Sequence, residues 1–372
     1  MPLLEALLLG LAMAAVASDS DGLRPASAGE TLRLREQQLR DATALHDRAV
    51  AAEDRDLELA LQLYSQALQV RPAQWESSLR LGTLLMGRRG RHAEAEAALR
   101  YTVALADQRA GVDHCAPRTN LGVLLTERAF GSGHAGATHS AAALRSAPAV
   151  AVEALAQFDI AVRAGSCNVA RLNAARLLTE AADAAPLPVG AVPDELGLLG
   201  ASPEALRAAA AKQYIAALAT ALLEDDMDTV EGAARKYARL RPGGAGPALN
   251  APQHAIVGRA AVHEGDTDGA KFHTAAALRL DPNSHTAYHT LGLLAERAGN
   301  LEESIVAYRT AVTLAAAQTQ SDIDHGRPRR ASTLDATASA SNNLGRLARL
   351  GTSLVSFSSS VSNFVHFVPS LS

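Results

Sequence analysis

Apolar positions recur along this chain at intervals of three and four, the spacing that gathers side chains on one face of a helix. In one stretch they are Ala270, Thr274 and Ala277-Leu278; thirty-four residues on, the same places hold Ser304, Tyr308 and Ala311-Val312. The pattern before each stretch repeats in step, with Val257-Gly258 falling on Leu291-Gly292 and Gly265 on Gly299. The two blocks, Ala251–Ser284 and His285–Gln318, therefore each predict two helices joined by a tight turn.

Such a hairpin cannot bury its apolar stripe alone, so copies must stack. Upstream, residues 41–74 place Ala60, Tyr64 and Ala67-Leu68 at second-helix spacing before Pro72. Tyr64 reads as packing that fills the space the alanines leave. Residues 75–109 follow with Leu81-Gly82, Gly90, Ala95, Leu99 and Thr102-Val103. Gly82 is expected where two helices cross too closely for a side chain. Trp75 is expected to cover the seam between hairpins.

Two longer units come next. Residues 118–127 align with 171–180, and each of these first helices is followed by an insertion, at 131–148 and 185–202. Their second helices carry Ala154, Phe158 and Ala161-Val162, then Ala210, Tyr214 and Ala217-Leu218. Ser202-Pro203 is good chemistry for a helix start. Asp226–Arg241 matches a second helix weakly and is expected to be degenerate or unpaired. The domain plan has a lead-in helix at 23–40, an N-terminal array at 41–242 and a Gly/Pro linker at 243–252. A C-terminal array spans 253–351, and a serine-rich tail at 352–372, disordered or altered, closes the chain. The last hairpin opens at Ser341 and its second helix never arrives, which leaves an uncapped end.

The period, the paired glycines and Asp281-Pro282 after a second helix resemble the tetratricopeptide repeat (TPR) family. That resemblance implies an all-α, right-handed superhelical solenoid of antiparallel hairpins. It also implies a preformed groove, lined by the first helices, that holds another protein or an extended peptide.

Composition agrees with helices. Hydrophobic residues make up 48% of the chain but aromatics only 3%, so alanine and leucine fill the core. A net charge of −4 gives no basic face, and no nucleic-acid partner is expected. Cys115 and Cys167 are too few for a disulfide framework. One bridge between them is open; two free, partly buried thiols are the favoured expectation. Residues 1–18 have an apolar core and a small-residue end, the shape of a cleaved secretory signal. Glu5 and the lack of a preceding Lys or Arg keep an uncleaved anchor or an ordinary helix as alternatives. The expected location is therefore the secretory pathway if the segment is a signal, and the cytoplasm otherwise.

No catalytic constellation is present, and the chain is expected to be no enzyme and to need no cofactor. No metal is expected either, since the histidines fall at spacings fixed by the repeat. His263–Gly269 resembles a calcium loop superficially, but Thr274 stands where the closing glutamate belongs. The candidate site is a peptide groove. Asn120, Asn173 and Asn343 hold one register position in their hairpins, and an amide there can donate to and accept from a peptide backbone. They are similar to the asparagine ladder of the O-linked N-acetylglucosamine transferase superhelix. Arg259, His263, His289 and Arg297, with Glu296, are expected along the same face. The family's carboxylate clamp is not carried, because Leu45 and Leu79 replace its lysines and Ala49 and Thr83 its asparagines. The alternative function is the repeat arm of a larger lumenal glycosyltransferase resembling the TPR-containing O-mannosyltransferases, without its catalytic half. A third reading is self-association through the uncapped C-terminal end.

Overall fold

A computed structural model describes residues 28–108, 114–130, 148–165, 167–183, 202–240, 248–325 and 331–349. The expected signal at 1–18, both insertions apart from their edges, the first half of the linker and the 352–372 tail lie outside the described residues. Every described element is helical, and the chain divides into two compact units. One comprises residues 1–173 with 187–200, the other 174–186 with 201–372.

The first unit holds α1 (Ala28–Ala52), α2 (Leu57–Val70), α3 (Trp75–Met86), α4 (His92–Asp107), α5 (Cys115–Ala129) and α6 (Pro148–Ala164). From Ala28, α1 runs unbroken through the described part of the lead-in segment into the first hairpin. Consecutive helices pair as α1 with α2, α3 with α4 and α5 with α6. The turns are set by local chemistry: Asp56 caps α2 by accepting from the Leu59 amide, a contact of the kind that contributes about 1 kcal/mol. The core runs along the hairpin seams, with Ala60, Tyr64, Ala95, Leu99, Leu121 and Phe158 fully buried. A Cβ built on Gly122 would come within 2.5–2.8 Å of the Phe158 ring, and one on Gly82 would meet Leu99 at 2.8 Å. The alanine-rich stripes let the helices approach; the glycines set how close.

The free-thiol expectation is overturned. Cys115 and Cys167 form a disulfide, with their Cα atoms 5.5 Å apart. Packing of α6 back onto α5 brings the residue before α7 (Asn168–Asp183) to the first turn of α5, a proximity that a sequence separation of 52 does not announce. Thr119 Oγ1 lies 3.4 Å from the buried Cys167 sulfur.

The second unit takes the later part of α7, then α8 (Pro203–Glu224), α9 (Met227–Leu240), α10 (Ala251–His263), α11 (Thr267–Leu280), α12 (His285–Arg297), α13 (Leu301–Asp324) and α14 (Ala331–Arg349). α10 pairs with α11 and α12 with α13, the two hairpins of the clear repeat. Ser202 caps α8 and Pro203 occupies its first turn. Asn250 and Gln253 form a reciprocal capping box on α10, and Asp266 and Ser284 cap α11 and α12. Gly265 and Gly299 sit at φ of +78° and +81°, a conformation that costs a side chain strain and glycine none. The His263–Gly269 stretch is thus the turn into α11, with its Asp266 carboxylate occupied by the Gly269 amide.

α9 differs from the expectation of an unpaired helix. It packs against α8 on one side and α10 on the other, burying Val230, Ala233, Ala234, Tyr237 and Ala238. α8 also touches α7, where Arg207 pairs with Asp183 at 2.9 Å. Twenty-two residues long, α8 serves both neighbours. At the other end, α14 lies on α13 and places Ala340 and Leu347 against Ile305, Tyr308 and Ala311.

Candidate functional site

First helices of consecutive hairpins lie side by side, as α10 and α12 do in the second unit. Gly258 and Gly292 face their own second helices: a Cβ at Gly292 would fall 2.5–2.9 Å from the Tyr308 ring, one at Gly258 2.9 Å from the Thr274 hydroxyl.

Arg259 is buried to 7% exposure, and its guanidinium bonds to Glu231 of α9 at 3.0 Å. Arg235, one turn along α9, reaches the same carboxylate at 3.2 Å. A single carboxylate thus sits between two guanidiniums, beside a shallow pocket floored by Ala234, Ile256 and Ala260 and edged by His263. Partial burial holds the His263 imidazole below its ordinary value, and the charges of Arg235, Arg259 and Arg297 add to the effect against the pull of Glu231. Its ring is therefore neutral at neutral pH. Arg297, at the end of α12, is exposed and close enough to act on that ring. His263 and Arg297 are equivalent positions one repeat apart.

His289 has a different setting. It is 4% exposed, its ring lies 5.5 Å from that of Tyr308, and Asn343 of α14 approaches its Nε2 at 3.4 Å. Glu296 accepts from the Tyr308 hydroxyl at 3.1 Å and pairs with Arg346. His289, Glu296 and Asn343 therefore fasten α12 to α13 and α14. The remaining asparagines are placed separately. Asn120 donates to Thr83 Oγ1 of α3 at 2.8 Å, and Asn173 donates to the Val169 carbonyl within its own helix at 2.9 Å. Each of the three amides has its Nδ2 engaged within the chain, so the asparagines are not presented alike.

The structure brings together Arg259, His263 and Arg297 from the sequence-derived set and adds Glu231 and Arg235. Those two went unread because α9 departs from the repeat, although the Glu231–Arg235 spacing is that of an ordinary helical ion pair.

Residues 285–318 match the tetratricopeptide repeat family. Over that segment the chain carries a tetratricopeptide repeat. The matched segment comprises α12 and most of α13, the hairpin in which Gly292, Tyr308 and the Gly299 turn were described. Among solved structures, the TPR domain of P58(IPK) is similar at 12% identity, over 95% of this chain and all of that domain, with a TM-score of 0.21. No curated protein matches. The resemblance rests on the matched repeat and on the helix pairing around it.

Proposed function

We propose that this TPR protein is a non-enzymatic scaffold that holds an extended segment of another protein along the exposed face of its first helices. The observation that carries the reading is the pocket between α9 and α10, where Arg235, Arg259 and His263 meet and Arg297 of α12 acts on the His263 ring. These side chains are fixed by helices, so a bound segment orders itself but not its host. Nothing about the cluster resembles a nucleophile with its base. The arginines stay charged throughout the physiological range, and the single histidine hydrogen-bonds to no carboxylate among the described residues.

The compartment we propose for the scaffold is the secretory pathway. The Cys115–Cys167 bridge supports this, because disulfides persist in oxidising compartments and are rare where glutathione keeps thiols reduced. Among the described residues no helix is long and apolar enough to cross a membrane. Proximity labelling from the intact chain, with the N-terminus untagged, tests partner and compartment together. Labelled lumenal or secreted proteins are the expected outcome; labelling of cytosolic proteins alone contradicts the placement.

A further inference from the structure

We propose that the edge formed by α9, α10 and the end of α12 binds an acidic segment of the partner protein through its carboxylate side chains; this rests on the groove-binding reading above. The cluster sets three guanidiniums, Arg235, Arg259 and Arg297, about the Glu231 carboxylate and the His263 ring. Glu231 serves both Arg235 and Arg259, and Arg297 makes no ion pair or hydrogen bond among the described residues. Glu264, which also acts on Arg235, pairs with Arg239, and Glu296 pairs with Arg346. The second unit therefore presents a guanidinium-rich edge on a chain whose net charge is −4.

Guanidinium groups offer paired donors that match a carboxylate, and the small apolar floor of Ala234, Ile256 and Ala260 suits the short stem of an aspartate or glutamate. The donors are spread over three helices, with His263 and Arg297 at equivalent positions of successive repeats. That distribution fits several carboxylates along one extended chain better than a single small anion. It also differs from the family's lysine–asparagine clamp, whose positions in the first two hairpins hold Leu45, Leu79, Ala49 and Thr83.

The test uses the full chain with its disulfide intact and three fluorescein-labelled peptides of equal length: alternating Glu-Gly, Lys-Gly and Ser-Gly. Anisotropy titrations should show the Glu-Gly peptide binding about tenfold tighter than Ser-Gly, with Lys-Gly weakest and the Glu-Gly affinity falling as salt rises. The double variant Arg235→Gln, Arg297→Gln should lose about tenfold in Glu-Gly affinity with its thermal transition in place. Arg309→Gln, on the exposed surface of α13, should bind as the parent does. Binding without acidic preference overturns this inference and leaves the groove reading standing. Failure of all three peptides overturns both. Full Glu-Gly affinity in the double variant removes the site from these residues.

Discussion

Tyr308 on α13 donates its phenolic hydrogen to the Glu296 carboxylate of α12 at 3.1 Å, and the same bond recurs in the first unit, from Tyr64 on α2 to Glu53. The surroundings recur with it. Arg346 of the next helix pairs with Glu296, and Arg80 of the next helix lies 3.7 Å from Glu53. Each tyrosine ring rests beside a histidine of the first helix, His289 at 5.5 Å and His46 at 5.4 Å. Each histidine in turn reaches the following first helix, His289 to Asn343 and His46 to Ser77 at 2.9 Å. Burial, with the neighbouring carboxylate, pushes both phenols well above their ordinary range. Five side chains thus close one hairpin and fasten it to its successor in each unit.

Tyr308→Phe keeps the ring and removes the bond. The loss of a hydrogen bond to a charged acceptor is expected to cost about 1.5–3 kcal/mol, read as a lower midpoint in urea. An unchanged midpoint would mean that the ring alone closes the hairpin.

Gly292→Ala pits propensity against packing. Alanine in a helix interior gains about 1 kcal/mol over glycine, but its Cβ would lie 2.5–2.9 Å from the buried Tyr308 ring. Overpacking of this kind costs about 1–3 kcal/mol. A net loss of stability is expected, and Gly292→Ala in a Tyr308→Ala background should be less harmful than in the parent. Equal losses in both backgrounds would sink the contact.

The repeat was legible where each hairpin uses the same solution. Ala277, Ala311 and Tyr308 recur at fixed offsets because stacking imposes the same closeness at every seam. α9 was misread because Val230, Ala234 and Tyr237-Ala238 satisfy second-helix spacing while the preceding helix had already been paired with α7. Only contacts show that α8 is long enough for both. The disulfide lacked any local signature, since it depends on how α6 folds back. The cluster around Arg259 was half legible: His263 and Arg297 follow from register, whereas Arg235 arrives from a helix outside the pattern.

Removal of the disulfide tests the first unit. The bridge closes a loop between positions 52 apart, for which chain entropy predicts a contribution of about 4 kcal/mol. Cys115→Ser with Cys167→Ser should lower the first unit's thermal transition, and reducing agent should lower the parent's while leaving the double variant's unchanged. A double variant that melts with the parent contradicts this.

Acid should weaken the second unit. Burial, then the charge of His254, pushes the His273 imidazole down to about 4, against the pull of Asp266. Burial, with Arg279 nearby, lowers His254, and burial with Arg259 lowers His285 against Asp281. The folded state holds these rings neutral while the unfolded chain protonates them near 6.5. Stability is therefore full above about pH 6.5, falls between there and about pH 4, and levels off below. His273 alone can contribute up to about 3 kcal/mol over that window. His273→Gln should flatten the pH dependence of the urea midpoint; an equally steep curve would assign it to other groups.

The central claim is that an extended partner lies along the first-helix face. A photoreactive amino acid at His263, exposed on α10, and separately at Phe272, 61% exposed on the second helix α11, tests it directly. The account predicts crosslinks to a partner polypeptide from position 263 and few or none from 272. Crosslinking that is equal at the two positions, or confined to 272, would contradict it.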